Sequence, residues 1–276
     1  MKCLKNLLFL YFITCFQSSI YSQNIGFEVD NNKGTIENIF IKNNKIIFEI
    51  SSTKRDIKNI YVFSNQSTAD RFLSNTICDC NPRKKMELHK GVNLYIDAYT
   101  NVDYAKNYSD NSRAEIVGSI IKIDDIKIEY FKRVGHNSAI GIVGKLKSVN
   151  GIPISYHLNY SENQRAGYTG KIEKIGNISF KYHNRHSNSI SANYIGKIKE
   201  IGSVKINYNE NYSANVNKGF VGKIKNIGNV KFNYFKNTYN NNASGITGKF
   251  QSMNGNDARF IIYWSFNMNQ KNIFIG

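Results

Sequence analysis

Six glycines, Gly118, Gly144, Gly170, Gly196, Gly222 and Gly248, recur at an interval of 26 residues without a slip. A fixed period means one supersecondary unit in tandem, so the fold has to be built from that unit. Each unit is counted from its glycine as position 0. Position 2 is Ile120, Leu146, Ile172, Ile198, Ile224 or Phe250, position 8 is Ile or Val, and position 10 is Ile or Phe. Position 12 is tyrosine in Tyr130, Tyr156, Tyr182, Tyr208 and Tyr234. Two residues before the later glycines stand Ile142, Tyr168, Tyr194, Phe220 and Ile246. Apolar side chains on even positions, rich in β-branched and aromatic types, are the signature of strands with one buried face. Position 6 is Asp124, Asn150, Gly176, Gly202, Gly228 or Asn254, residues that tolerate a left-handed backbone. Each unit therefore reads as a β-hairpin.

Two hairpin registers compete. A two-residue turn at positions 6 and 7 suits Asn150-Gly151, but it pairs position 3 with 10 and position 1 with 12. A three-residue turn with a bulge at position 6 pairs 2 with 8, 0 with 10 and −2 with 12. The second gathers every even apolar residue on one face, and burial favours it. It makes the periodic glycine a packing notch beneath the large residue at position 10. Pro153, at position 9, removes a ladder donor and is expected at a non-hydrogen-bonded site or a local bulge.

The odd positions are basic. Position 1 is Lys145, Lys171, Lys197, Lys223 and Lys249; position 3 includes Lys147, Lys199 and Lys225; position 9 includes Lys127, Lys205 and Lys231. In the favoured register these lysines form rows on the opposite face, about 9.6 Å apart between hairpins. Such a face either keeps a β-protein soluble and unpaired at its edges or forms a platform for a polyanion. The candidate binding set is Lys145, Lys171, Lys197, Lys199, Lys205, Lys223, Lys225, Lys231 and Lys249. The joining loops, such as Asn211–Lys218, differ between units and are the other place where specificity could reside.

The phrase Gly-Lys-Ile-Lys-x-Ile-Gly-x-Val-Lys-Phe-x-Tyr, as in Gly222–Tyr234, resembles tandem β-hairpin repeats of exported Gram-negative bacterial proteins of unknown function. The resemblance spans residues 118–255. It implies export and a repeat scaffold; no activity and no functional residue comes with it.

The N-terminus reads as a secretory signal. Lys2 and Lys5 precede the apolar run Leu7–Thr14, and a small-polar exit points to cleavage after Ser22. Lipid attachment at Cys15 is the alternative, against a poor lipobox. Losing a leader with two lysines and no acid takes the net charge from +17 to +15. A surface this basic attracts anionic polysaccharide or lipopolysaccharide, and allows peripheral membrane contact, without a specific nucleic-acid signature. The expected location is periplasm, cell surface or extracellular space.

Residues 23–117 read as further β-structure: Thr35–Ile41 and Lys45–Ile50 flank a turn at Asn43-Asn44, strands follow at Ile60–Phe63 and Val92–Ile96, and Ser67–Leu73 forms a short helical turn. Residues 256–276 form terminal cap strands around Trp264, the only tryptophan. The chain is thus all-β, an antiparallel meander of tandem hairpins. Its apolar face must be buried by closing into a barrel-like sheet, which is favoured, or by a cover of N-terminal strands. An outer-membrane barrel is the alternative, but strands of about six to eight residues fall short of the 9–11 needed to span.

Catalytic and metal chemistry find little footing, which leaves an enzyme with an unrecognised site as a further alternative. Glu129, Glu162, Glu173, Glu200 and Glu210 share no repeat position, and no Ser/His/Asp or Cys/His constellation stands out. No cofactor is expected. Cys78 and Cys80 are read as loop thiols or a local bridge. His157, His183 and His186 are read as surface residues, the first two too far apart to share a metal.

Overall fold

The computed structural model describes residues 24–74, 82, 84–185, 193–213, 219–264 and 273–274. Residues 1–23 with Cys15, both central cysteines and His186 lie outside them. The strands are β1 Ile25–Asp30, β2 Thr35–Asn43, β3 Ile46–Ser51, β4 Asp56–Val62, β5 Lys84–His89, β6 Val92–Ile96 and β7 Val102–Tyr104. The repeats supply β8 Ile120–Ile123, β9 Ile126–Tyr130, β10 Leu146–Val149, β11 Ile152–Tyr156, β12 Ile172–Ile175, β13 Ile178–Tyr182, β14 Ile198–Ile201, β15 Val204–Tyr208, β16 Ile224–Ile227, β17 Val230–Tyr234 and β18 Phe250–Asn254. The chain returns through β19 Phe260–Trp264 and β20 Ile273–Phe274.

These strands form two sheets. The repeats make a 12-stranded antiparallel meander running in chain order from β7 to β18. The other strands make an eight-stranded sheet ordered β20-β19-β1-β2-β3-β4-β6-β5, in which β19 runs parallel to β1 and β4 parallel to β6. One apolar cluster joins the inner faces of both sheets, from Phe27, Ile39, Phe48 and Ile60 on one side to Ile123, Ile175, Ile206 and Phe232 on the other. Of the two ways to bury the repeat face, the protein uses the cover; among the described residues the meander does not close on itself. Trp264 sits at the end of that core, its ring centroid 4.1 Å from that of Phe250 and 6.1 Å from that of Phe232. Among the described residues the one longer helix, α1 Gln66–Ser74, lies outside the cover sheet, where Ala69 and Leu73 pack on Phe40, Ile47, Phe63, Ile261 and Tyr263.

The hairpin register departs from the favoured expectation. Within each unit position 5 pairs with 8 and position 4 with 9, as in Ile201↔Val204 and Glu200↔Lys205. The turn is therefore the two-residue one at positions 6 and 7. Position 6 is left-handed in Asp124, Asn150, Gly176, Gly202 and Gly228, and Asn150-Gly151 has positive φ at both residues, as a type I′ turn requires. Flanking pairs of such a turn exchange hydrogen bonds and the next pair does not, so Pro153 opposite Ser148 loses no bond within its hairpin.

The bulge exists, but it lies between units rather than in the turn. Position 12 pairs with position 2 of the next unit, 11 with 4, and 10 with 5, so the ladder slips by one residue at position 3. A slip of one residue resets which face a side chain takes. Positions 2 and 5 thus both point inward although three apart. Ile123, Val149, Ile175, Ile201 and Ile227, all at the odd position 5, are at most 1% exposed. The meander also starts before the first periodic glycine: Val102 and Tyr104 pair with Ile123 and Ile120 as positions 10 and 12 do elsewhere.

This register makes a test at one residue. Ile201→Ala should cost about 2–5 kcal/mol, as large-to-small changes in a packed core do, whereas Lys199→Ala should stay within about 0.5 kcal/mol. Denaturant unfolding would measure both. A near-neutral Ile201→Ala would return position 5 to the solvent face and overturn the register.

Candidate functional site

The periodic glycine is a turn residue, not a notch in a strand. The position 1 amide donates to the carbonyl of position −2, as in Lys197 to Tyr194 (3.0 Å) and Lys171 to Tyr168 (3.0 Å). The glycine occupies the third place of that four-residue turn with φ from 69° to 80° in all six units, the left-handed site of a type II turn. A Cβ there would collide with the preceding unit's loop: at Gly144 it would lie 2.8 Å from the Ala114 carbonyl oxygen, and at Gly248 2.9 Å from that of Gly219. The glycine is thus set by backbone conformation and by loop-on-loop stacking.

The joining loops recur more closely than their sequences suggest. Among the described residues, four contain a one-turn helix: α2 Ser109–Arg113, α3 Gly135–Ala139, α4 Ser161–Arg165 and α5 Tyr239–Ala243. In each, the side-chain amide of an asparagine at position −7 (Asn111, Asn137, Asn163, Asn241) donates to the carbonyl five residues earlier at 2.8–2.9 Å. Position −3 is left-handed in all six units: Glu115, Gly141, Gly167, Asn193, Gly219 and Gly245. The asparagine and the second glycine are periodic in the sequence, and both could have been found there.

At the base of each hairpin the two strands part, and tyrosine 12 fills the gap. Its hydroxyl donates to the carbonyl of position 2 in its own unit: Tyr130 to Ile120, Tyr156 to Leu146, Tyr182 to Ile172, Tyr208 to Ile198 and Tyr234 to Ile224, at 2.7–3.1 Å. Aromatic neighbours enclose the rings. Tyr168 stacks on Tyr182 and Tyr194 on Tyr208, with centroids 5.3 and 5.6 Å apart. His157 and His183, expected at the surface, are half-buried and set edge-on against Tyr182 and Tyr208. Burial holds His157 below the ordinary histidine range. Among the described residues no three His, Cys, Asp or Glu side chains are grouped to hold a metal.

The nine candidate lysines divide into two environments instead of sharing a face. Lys199, Lys205, Lys225 and Lys231 are exposed on β14–β17, and Lys249 is exposed beside the last loop. Lys145, Lys171, Lys197 and Lys223 are half-buried along the rim where the hairpins part. There Lys145, Lys197 and Lys223 donate to the carbonyls of Gly170, Gly222 and Gly248, the next unit's glycine. Their ammonium groups lie 5.0, 5.3 and 5.4 Å from the ring centroids of Tyr156, Tyr208 and Tyr234, within cation–π range. At the unit of Lys171 the place is taken by Arg55 from the cover sheet, whose Nη1 donates to the Gly196 carbonyl at 3.1 Å. Burial lowers the pKa of Lys171, Lys197 and Lys223, and for Lys171 the charges of Lys145 and Arg55 add to it. Lys145, Lys197 and Lys223 thus tie one unit to the next, and all four lysines were misassigned from strand alternation because position 1 lies in the turn before the strand begins.

The cover sheet reaches this rim through its own turns. The Arg55 carbonyl accepts from the Ile172 amide (3.2 Å), the Gly34 carbonyl from Ile224 (2.9 Å) and the Asn31 carbonyl from Phe250 (3.2 Å). At the units of Gly144 and Gly196 the turns leave cavities of about 250 and 310 Å³. The first holds Asp56 in an ion pair with Lys145, beside His89. A third, wider cavity of about 960 Å³ is lined by Lys122, Lys127, Lys132 and Lys147, and the carboxylates of Asp103, Asp125 and Glu129 offset most of their charge.

The tyrosine clips set an alkaline limit. Burial raises the pKa of Tyr130, Tyr156, Tyr182, Tyr208 and Tyr234, so the folded protein keeps them neutral while the unfolded chain ionises near pH 10. Their contribution is complete below pH 10 and is lost above it, by about 1.4 kcal/mol per pH unit for each tyrosine. Denaturant midpoints between pH 9 and 11 should fall steeply, and the share of the tyrosinate absorbance due to these five buried rings should appear only with unfolding. Tyr208→Phe should cost about 1–3 kcal/mol by leaving a buried carbonyl unpaired and should flatten that fall. Comparison with protein-family models, with curated proteins and with solved structures finds no match for this chain.

Proposed function

We propose that this protein is an exported β-repeat scaffold that binds an acidic polysaccharide or lipopolysaccharide on the solvent face of its meander, and that it is not an enzyme. The observation that carries this reading is the run of exposed lysines on four adjacent strands: Lys199 on β14, Lys205 on β15, Lys225 on β16 and Lys231 on β17. The one carboxylate in those strands, Glu200, is held below its ordinary range by a hydrogen bond from Lys181 on β13. Equivalent lysines two strands apart are about 9.6 Å from one another, a periodic array suited to a polymer with periodic charge. Exposed rings support a glycan in particular. Tyr108, Tyr160 and Tyr212 occupy the same loop position and are 60–64% exposed, with Tyr239 at 87% nearby in its own loop. A series of flat amphipathic faces suits ring-bearing partners better than it suits lipid chains.

The outer-membrane alternative is disfavoured by two features. Meander strands of the repeats have four or five residues, half the length needed to cross. Their apolar positions face the cover sheet, which leaves no apolar belt on the described part of the meander.

Binding to a heparin-like or lipopolysaccharide column should occur at low ionic strength and weaken as salt rises towards 0.3 M. The fourfold variant Lys199→Gln, Lys205→Gln, Lys225→Gln and Lys231→Gln should lose on the order of tenfold to a hundredfold in affinity, given up to about 1 kcal/mol for each exposed ion pair. Its unfolding midpoint should be unchanged. Affinity that is absent at low salt, or equal in the variant, would end the proposal.

A further inference from the structure

The rim repeats one arrangement several times, and one unit breaks it. Where the rim lysine is Lys145, Asp56 stands beside it as an ion pair. Where it is Lys223, the charge of Asp30 lies close enough to raise its pKa against the effect of burial. At the unit of Gly196 the two cations are Lys197 and Arg55, and no carboxylate lines the cavity they share. Their partners are neutral carbonyls, Gly222 for Lys197 at 2.9 Å and Gly196 for Arg55 at 3.1 Å. The Nε of Arg55 is buried without a hydrogen-bond partner. A buried donor on a charged group is costly to leave unpaired. The backbone at Arg55 is held on both sides, its amide donating to Ser51 and its carbonyl accepting from Ile172.

The rest of the lining is neutral. Thr35, Ser52 and Thr53 line it from the two cover-sheet turns, with the Ser52 hydroxyl donating to the Ile36 carbonyl and the Thr53 hydroxyl shared with that of Ser51, and Tyr208 brings its ring. The volume of about 310 Å³ is several times that of a water molecule, about 30 Å³. A guanidinium and an ammonium group lining one cavity without an acid match a tetrahedral oxyanion, for which arginine supplies paired donors.

We propose that the cavity between the cover-sheet turns and the Gly196 unit, bounded by Arg55, Lys197, Thr35, Ser52 and Thr53, is a binding site for a phosphate or sulfate group. The site is separate from the exposed lysines of β14–β17 and does not depend on the polymer-binding reading.

The test is a calorimetric titration of the full exported chain with inorganic phosphate and with sulfate, at ionic strength held constant with chloride. One saturable site is expected. Lys197→Gln should weaken it at least tenfold, and Thr53→Val, at an exposed turn residue, should weaken it several-fold without disturbing the fold. Lys199→Gln on the outer face should leave it within twofold. Glycerol phosphate distinguishes the source: tighter binding than inorganic phosphate assigns the group to a larger molecule, and weaker binding to the free ion, and either supports the site. The absence of saturable binding by the unmodified chain, or an equal loss in Lys199→Gln, overturns it. The fourfold outer-face variant should retain phosphate binding, so failure of one reading is distinguishable from failure of the other.

Discussion

Everything in the repeat turns on one hydrogen bond, from the hydroxyl of tyrosine 12 to the carbonyl of position 2. The hairpins of this protein are held as ladders only next to their turns, at positions 4–9 and 5–8. Below that the strands part, and the freed carbonyl would be an unsatisfied buried acceptor. The tyrosine satisfies it with a side chain long enough to span the gap and wide enough to fill it. The bulge at position 3, the half-buried lysine above the ring and the aromatic residue stacked against it all surround that bond.

The two sheets complete one another at the same line. The freed position 2 amides of Ile172, Ile224 and Phe250 are taken by carbonyls from the turns of the cover sheet. Neither sheet satisfies its own polar groups at this edge. The cavities arise from the same cause, since the turns meet the rim only at intervals. The structural lysines and the cavity cations share one row, and the difference between them is whether an aspartate from the cover sheet arrives beside them.

Much of this was legible in the residues, and the misreadings have physical causes. The hairpin unit, the strands at positions 8–12 and the invariant tyrosine follow from period-2 alternation. The turn pair Asn150-Gly151 pointed to the correct register, and the even-position rule outweighed it. That rule fails because a bulge changes the phase within a strand, which makes Ile201 and its equivalents look misplaced when they are among the most buried residues of each unit. Lys197 and its equivalents were read as surface charge because strand alternation was extended through position 1, where the chain is still in a turn. His157 and His183 looked like surface residues because nothing in their own segment shows the neighbouring unit's Tyr182 and Tyr208 closing over them.

By itself the sequence determined the unit: its length, its two strands, its turn residues and the side chains that must be buried or bonded. Those are local properties, set by backbone preference and by the alternation of a single strand. Only the tertiary structure decided how the meander is covered, which lysines remain free and where cations collect without a partner. Those outcomes depend on the cover sheet, whose turns come from residues more than a hundred positions away from Gly196 in the chain. Burial, and with it charge, is fixed by what lies across the core.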